Sequence, residues 1–114
     1  MTPRLTSRMI VDALLRRTAQ LGGFGAVLAR GDEGAGAILV QLAERGNSRQ
    51  LLERTLDYAT DAYRWTACGP QDVESASSRD SYIQRRRDRD RDLWVIELDI
   101  PDAERFAAEM MTVC

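Results

Sequence analysis

The stretch Asp92-Leu93-Trp94-Val95-Ile96-Glu97-Leu98-Asp99-Ile100 decides how the chain folds. Side chains on an extended backbone alternate between two faces, so Trp94, Ile96, Leu98 and Ile100 share one side and Glu97 and Asp99 the other. This predicts a strand from Leu93 to Ile100 with a fully apolar face turned to a core. Pro101 ends the strand, and Asp102 is placed to cap a short helix in which Phe106, Ala107 and Met110 pack.

Working back from this strand, Asp72 is placed to cap a helix that runs to about Arg89. Its apolar face (Val73, Ala76, Tyr82 and Ile83) is thin and predicts a surface helix. Before it, Phe24 to Arg30, Gly36 to Arg45, Gln50 to Tyr58 and Asp61 to Cys68 read as strands. They are separated by the turn residues of Gly31-Asp32-Glu33-Gly34-Ala35 and Gly46-Asn47-Ser48. The third also fits a helical period through Leu51, Leu52, Thr55 and Leu56. At the N-terminus residues 6–21 read as an amphipathic helix. Thr6 or Ser7 caps it, Ile10, Ala13, Leu14 and Leu21 form one face, Met9 and Leu5 extend that face, and Gly22-Gly23 stops it. The expected architecture is a single α+β domain over residues 1–114. It has an N-terminal helix, a mainly antiparallel sheet of about five strands beginning as a four-strand meander, a second helix before the last strand and a short C-terminal helix. The helices are expected to cover one face of the sheet.

Composition excludes much chemistry. All 16 basic residues are arginine, with no lysine and no histidine. Ser-His-Asp and Cys-His triads, imidazole metal sites, Schiff-base lysines and P-loop lysines are therefore ruled out. The formal net charge of −2 and a pI near 5.1 do not suit a general polyanion binder. Cys68 and Cys114 form no Cys-x-x-Cys, so neither a zinc set nor a disulfide framework is expected. With no signal-peptide core and no apolar run of membrane-spanning length, a cytoplasmic protein without membrane contact or cofactor is expected.

Four features resemble sites, each with a plainer explanation. Gly31-x-x-Gly34-x-Gly36 would cradle phosphate only if a helix N-terminus followed, but Ala37-Ile38-Leu39-Val40 reads as a strand and the cluster as a hairpin turn. The run Arg85-Arg86-Arg87-Asp88-Arg89-Asp90-Arg91-Asp92 could contact nucleic acid or another anionic partner. Its aspartates favour a solvated helix end paired along itself, as in Arg86–Asp90 and Arg87–Asp90. Arg64 and Trp65 could stack on a base or a partner, although Trp65 suits core packing and Trp94 suits it better. Among the carboxylate pairs Asp32/Glu33, Asp57/Asp61 and Glu97/Asp99, only the last is placed on one face by strand geometry. Alternating surface charge looks the same there as an acid–base or oxygen-ligand metal site.

Two resemblances follow from particular segments. Ala13-Leu14-Leu15-Arg16-Arg17, Gly23-Phe24-Gly25-Ala26-Val27-Leu28, Arg30-Gly31-Asp32, Ala35-Gly36-Ala37-Ile38-Leu39-Val40 and Asp92-Leu93-Trp94-Val95-Ile96-Glu97 together resemble an uncharacterised bacterial family, domain of unknown function 1491. The likeness covers about Arg4 to Ile100 and implies a single-domain bacterial cytosolic protein with no assigned catalytic residue. The order helix, Gly-Phe, strand, glycine turn, strand, strand also looks like the opening of Holliday-junction resolvases and related nucleases. Their second-strand aspartate is missing from Ala37-Ile38-Leu39-Val40, and Glu53 is followed by Arg54-Thr55 where they have Glu-x-Lys, which implies at most an inactive nuclease-like fold. The sequence thus favours a module acting by protein contact or self-association, with nucleic-acid contact through Arg64, Trp65, Arg85, Arg86, Arg87, Arg89 and Arg91 as the alternative.

Overall fold

A computed structural model of the protein describes residues 5–70 and 76–112. In chain order the elements are α1 (Ser7–Gln20), β1 (Phe24–Ala29), β2 (Ile38–Glu44), β3 (Asn47–Asp57), β4 (Ala62–Cys68), α2 (Ala76–Arg89), β5 (Trp94–Asp99) and α3 (Ala103–Thr112). This is the expected α+β architecture with a mostly antiparallel sheet, and residues 47–57 are a strand. Thr6 caps α1 by accepting the Met9 amide at 3.2 Å, and Asp102 Oδ1 accepts the Arg105 amide at 3.1 Å at the start of α3. The expected cap at Asp72 and the apolar contribution of Val73 lie outside the described residues. No helix among the described residues is long and apolar enough to cross a membrane.

The strand order corrects the expected meander. The sheet runs β1-β5-β2-β3-β4, so β1 and β2 form no hairpin. Instead β5 lies between them, antiparallel to β1 and parallel to β2, with Ile38 opposite Trp94 and Ala43 opposite Asp99. The physical reason is two-sided burial. Leu39 as well as Val40, and Val95 as well as Ile96, are almost completely hidden, and strands apolar on both faces belong in the middle of a sheet.

Gly31 to Ala35 therefore carries the chain across the start of β5. Along this crossover the Asp32 amide donates to the Asp92 carbonyl at 3.0 Å, and the Trp94 indole N–H donates to the Asp32 carbonyl at 2.7 Å. A Cβ on Gly31 or Gly36 would collide with the Asp92 carbonyl, which explains both glycines by close approach. The first amides of α1, those of Ser7 and Arg8, donate to the Gly34 and Glu33 carbonyls of the same loop. The glycine cluster is thus neither a hairpin turn nor a phosphate cradle.

The helices also occupy both faces of the sheet, not one. Ile10 and Val11 of α1 and Phe106 and Met110 of α3 pack on the face built from Val40, Leu42, Leu52, Trp94, Ile96 and Leu98. On the opposite face Tyr82 and Ile83 of α2 cover Leu39, Leu93 and Val95. The inward stripe of α1 is rotated from the expected one. Ser7, Ile10, Val11 and Thr18 are buried with Leu14 and Leu15 beside them, whereas Leu5, Met9 and Leu21 are exposed. Polar residues at both ends of that stripe hide it from hydropathy, and Ser7 satisfies its hydroxyl by donating to the Gly36 carbonyl at 2.6 Å.

Candidate functional site

The arginine run at the end of α2 is divided between inward and outward side chains. Arg86 turns to the sheet, where it pairs with Glu53 of β3 and donates to the Tyr82 hydroxyl at 2.9 Å. The Glu53 hydrogen bond holds its guanidinium still more firmly in the charged form. Arg87 Nη1 donates to the Arg30 carbonyl at 3.2 Å and the Leu93 carbonyl at 2.9 Å, tying the helix end to the residue after β1 and the residue before β5. The expected Arg86–Asp90 and Arg87–Asp90 pairs are absent among the described residues because both cations find partners across the fold. Arg85, Arg89 and Arg91 remain exposed.

Arg64 and Trp65 are not brought together. As neighbours on β4 they project to opposite faces; Arg64 lies 3.7 Å from Asp57, while Trp65 packs against the main core near Leu14. Glu97 and Asp99 do share a face, as expected, but have separate work. Asp99 accepts the Arg45 amide at 3.0 Å and the Gly46 amide at 2.7 Å, and so fastens the β2–β3 turn, in which both residues have positive φ. The nuclease comparison finds no support in the strand pairing. β1 and β2 are not neighbours, and Glu53 is engaged by Arg86. No group of three or more Asp, Glu, Cys or His among the described residues is placed to hold a metal.

The uncovered surface lies elsewhere. Because α2 lies over Leu39, Leu93 and Val95, the rest of its face towards β1 stays open. Two adjoining hollows, of about 360 and 430 Å³, share Gln41 and Asp80. One is walled by Leu28, Ala29, Ile83 and Val95 and bordered by Asp88 and Arg91; the other includes Ser48, Arg49 and Glu97. Gln41 is only 7% exposed, and its Nε2 donates to Glu97 Oε1 at 3.1 Å. Its Oε1 has no hydrogen-bond partner among the described residues. An unsatisfied buried amide oxygen costs about 1–3 kcal/mol, a notable sum against a typical domain stability of about 5–15 kcal/mol. Hydropathy did not single Gln41 out, but a signal was present: it is the one polar residue in Ile38-Leu39-Val40-Gln41-Leu42-Ala43.

Beside this groove runs β1, an outer strand of the sheet. Phe24-Gly25-Ala26-Val27-Leu28-Ala29 carries no charge and no proline, and Phe24 is 75% and Leu28 52% exposed. Edge strands usually carry charges, proline or a cover that prevents further pairing. At the other edge, β4 presents Arg64. Among the described residues the only such device on β1 is a register shift between Val27 and Ala29, which leaves Phe24 to Val27 regular.

Comparison with known proteins bears on the whole domain. The family described as "Protein of unknown function (DUF1491)" matches residues 5–108. The crystal structure of a DUF1491 family protein from Caulobacter crescentus CB15 is similar at a TM-score of 0.78 and 29% identity, over 90% of this chain and 94% of that one. An NMR structure of a DUF1491 family protein from the same bacterium gives 0.76 and 28%, over 92% and 94%. The solution structure of protein Atu0922 from A. tumefaciens gives 0.68 and 31%, over 85% and 86%. No curated protein matches the chain.

Proposed function

The chain belongs to the DUF1491 family, whose function is unknown, and from that premise we propose that it works through a surface, as a self-associating module that pairs through its β1 edge. The observation that carries this reading is the unprotected, charge-free strand Phe24–Ala29 at the outer edge of the sheet. Its unpaired backbone groups and exposed apolar side chains suit another strand of the same kind. A second copy supplies one about a two-fold axis, antiparallel, so that each β1 meets itself. Nothing charged on the strand would favour an unlike partner. The contact is short and belongs with interfaces of less than about 1,200 Å², so the association is expected to be concentration-dependent.

Sedimentation velocity over a wide concentration range tests it. Wild type should shift from monomer to dimer, and Val27→Lys, which puts a charge on the edge, should stay monomeric with an unchanged circular dichroism spectrum. A strict monomer at all concentrations overturns the reading. Nucleic-acid contact finds less support, since exposed Arg89 and Arg91 alternate with Asp88, Asp90 and Asp92 and two of the five arginines in the run are bound internally.

A further inference from the structure

We propose that the groove centred on Gln41 binds an alkyl-ammonium or alkyl-guanidinium group, with Gln41, Glu97 and Asp80 as its acceptors. Among the described residues Gln41 Oε1 is a buried acceptor lacking a donor, on a side chain that lines both hollows. Its own amide is already given to Glu97, so the group that completes this pair must donate hydrogen bonds. The charge around it favours a cation. Glu97 is half-buried beside Gln41, and among the described residues Asp80 makes no hydrogen bond or ion pair. Of the guanidiniums lining the two hollows, Arg87 is directed to backbone carbonyls and Arg49 to Glu44 at 3.6 Å, while Arg91 stands exposed at the border with Asp88. The apolar wall of Ile83, Val95, Leu28 and Ala29 gives an aliphatic stem a surface to lie on while its charged head reaches the acceptors. A bare divalent ion fits less well, since no three carboxylates converge among the described residues.

The donor could come from a free aliphatic amine or from a lysine or arginine side chain of another polypeptide; the site chemistry is the same for both. This inference goes beyond edge pairing and does not depend on it, because a free amine can enter the groove of a monomer.

The test is a titration of ¹⁵N-labelled protein with agmatine, n-butylammonium, a short lysine-containing peptide and, as the anionic control, acetate. The readout is the Gln41 side-chain amide pair together with the β2 and β5 backbone amides. Saturable shifts with either amine, or with the peptide alone, support the site and identify the source of the donor. Glu97→Gln, which keeps shape and removes charge, should weaken binding by about tenfold or more, as loss of a charge-assisted hydrogen bond does. Asp80→Asn should weaken it too, while Glu104→Gln on α3 should change nothing. The proposal fails if no probe saturates, if Glu97→Gln and Asp80→Asn both bind like wild type, or if acetate moves the same resonances. Because Val27→Lys stays monomeric under the edge-pairing reading, repeating the titration on that variant separates failure of the groove from failure of the edge.

Discussion

Arg79 shows most sharply what a single residue does here. It is completely buried, with Nε donating to the Ser48 hydroxyl at 2.7 Å and Nη2 to the Ser48 carbonyl at 3.0 Å, and so it fastens α2 to the β2–β3 hairpin. The fork geometry is specific to guanidinium. Arg79→Lys and Arg79→Met should therefore both lower unfolding stability in urea, by about 3 kcal/mol, since hydrogen bonds to a charged group are lost inside the fold. A lysine variant as stable as wild type would contradict the clamp. Nothing in Ser77-Ser78-Arg79-Asp80-Ser81 distinguishes this arginine from the solvated ones nearby, because its burial depends on a serine 31 positions earlier in the chain. Cys68 gives a second residue-scale prediction. Burial pushes its thiol above the usual cysteine range, and Glu53 adds to the shift. Since the folded value lies above the unfolded one, this contribution to stability is complete at neutral pH and declines as pH rises through the thiol range. In a Cys114→Ser background, the native protein should react with a thiol reagent at pH 8 much more slowly than the urea-unfolded chain. Equal rates would count against the buried environment.

At the scale of the element, the crossover Gly31–Ala35 separates what could be read from what could not. Helices and strands were legible wherever periodicity and caps agreed, as in Thr6 before α1, Asp102 before α3 and the alternation of β5. Partnership was not legible, because a short glycine-rich link has the same composition whether its flanking strands pair or admit another between them. The clue lay in strand character, for Ile38 to Ala43 and Leu93 to Ile96 are nearly unbroken apolar runs, as central strands are. The crossover makes contrasting predictions for two glycines of one loop. Gly31→Ala drives a methyl group into the Asp92 carbonyl and should cost about 2–3 kcal/mol, within the range for overpacking. Gly34→Ala meets only the Asp32 carboxylate oxygen at 3.5 Å and should change stability by no more than about 0.5 kcal/mol. Denaturant midpoints of the two variants decide it, and similar losses at both positions would refute this account of the loop.

For the whole molecule, placing β5 between β1 and β2 makes it the hinge of the domain's cooperativity. The strand is hydrogen-bonded on both sides, by β1 and β2, and covered on both faces, by α1 and α3 on one and α2 on the other. β1 and β4 have one strand neighbour each, and β1 has little cover. The candidate site follows the same geometry. Its residues come from β2, β5 and α2, which meet only because the last strand folds back into the middle of the sheet, so no local reading of Gln41, Asp80 or Glu97 could have assembled it. Native-state hydrogen exchange should register this hierarchy. Amides of Val40 and Ile96 should exchange only by global unfolding, and those of β4 by smaller local openings. Amides of Phe24 to Val27 that face away from β5 should exchange rapidly in dilute protein and gain protection as concentration rises, as edge pairing requires. In Val27→Lys the central-strand protection should persist while the concentration dependence disappears. Were β1 protection independent of concentration in wild type, the open edge would be a solvated boundary of the sheet and not its contact surface.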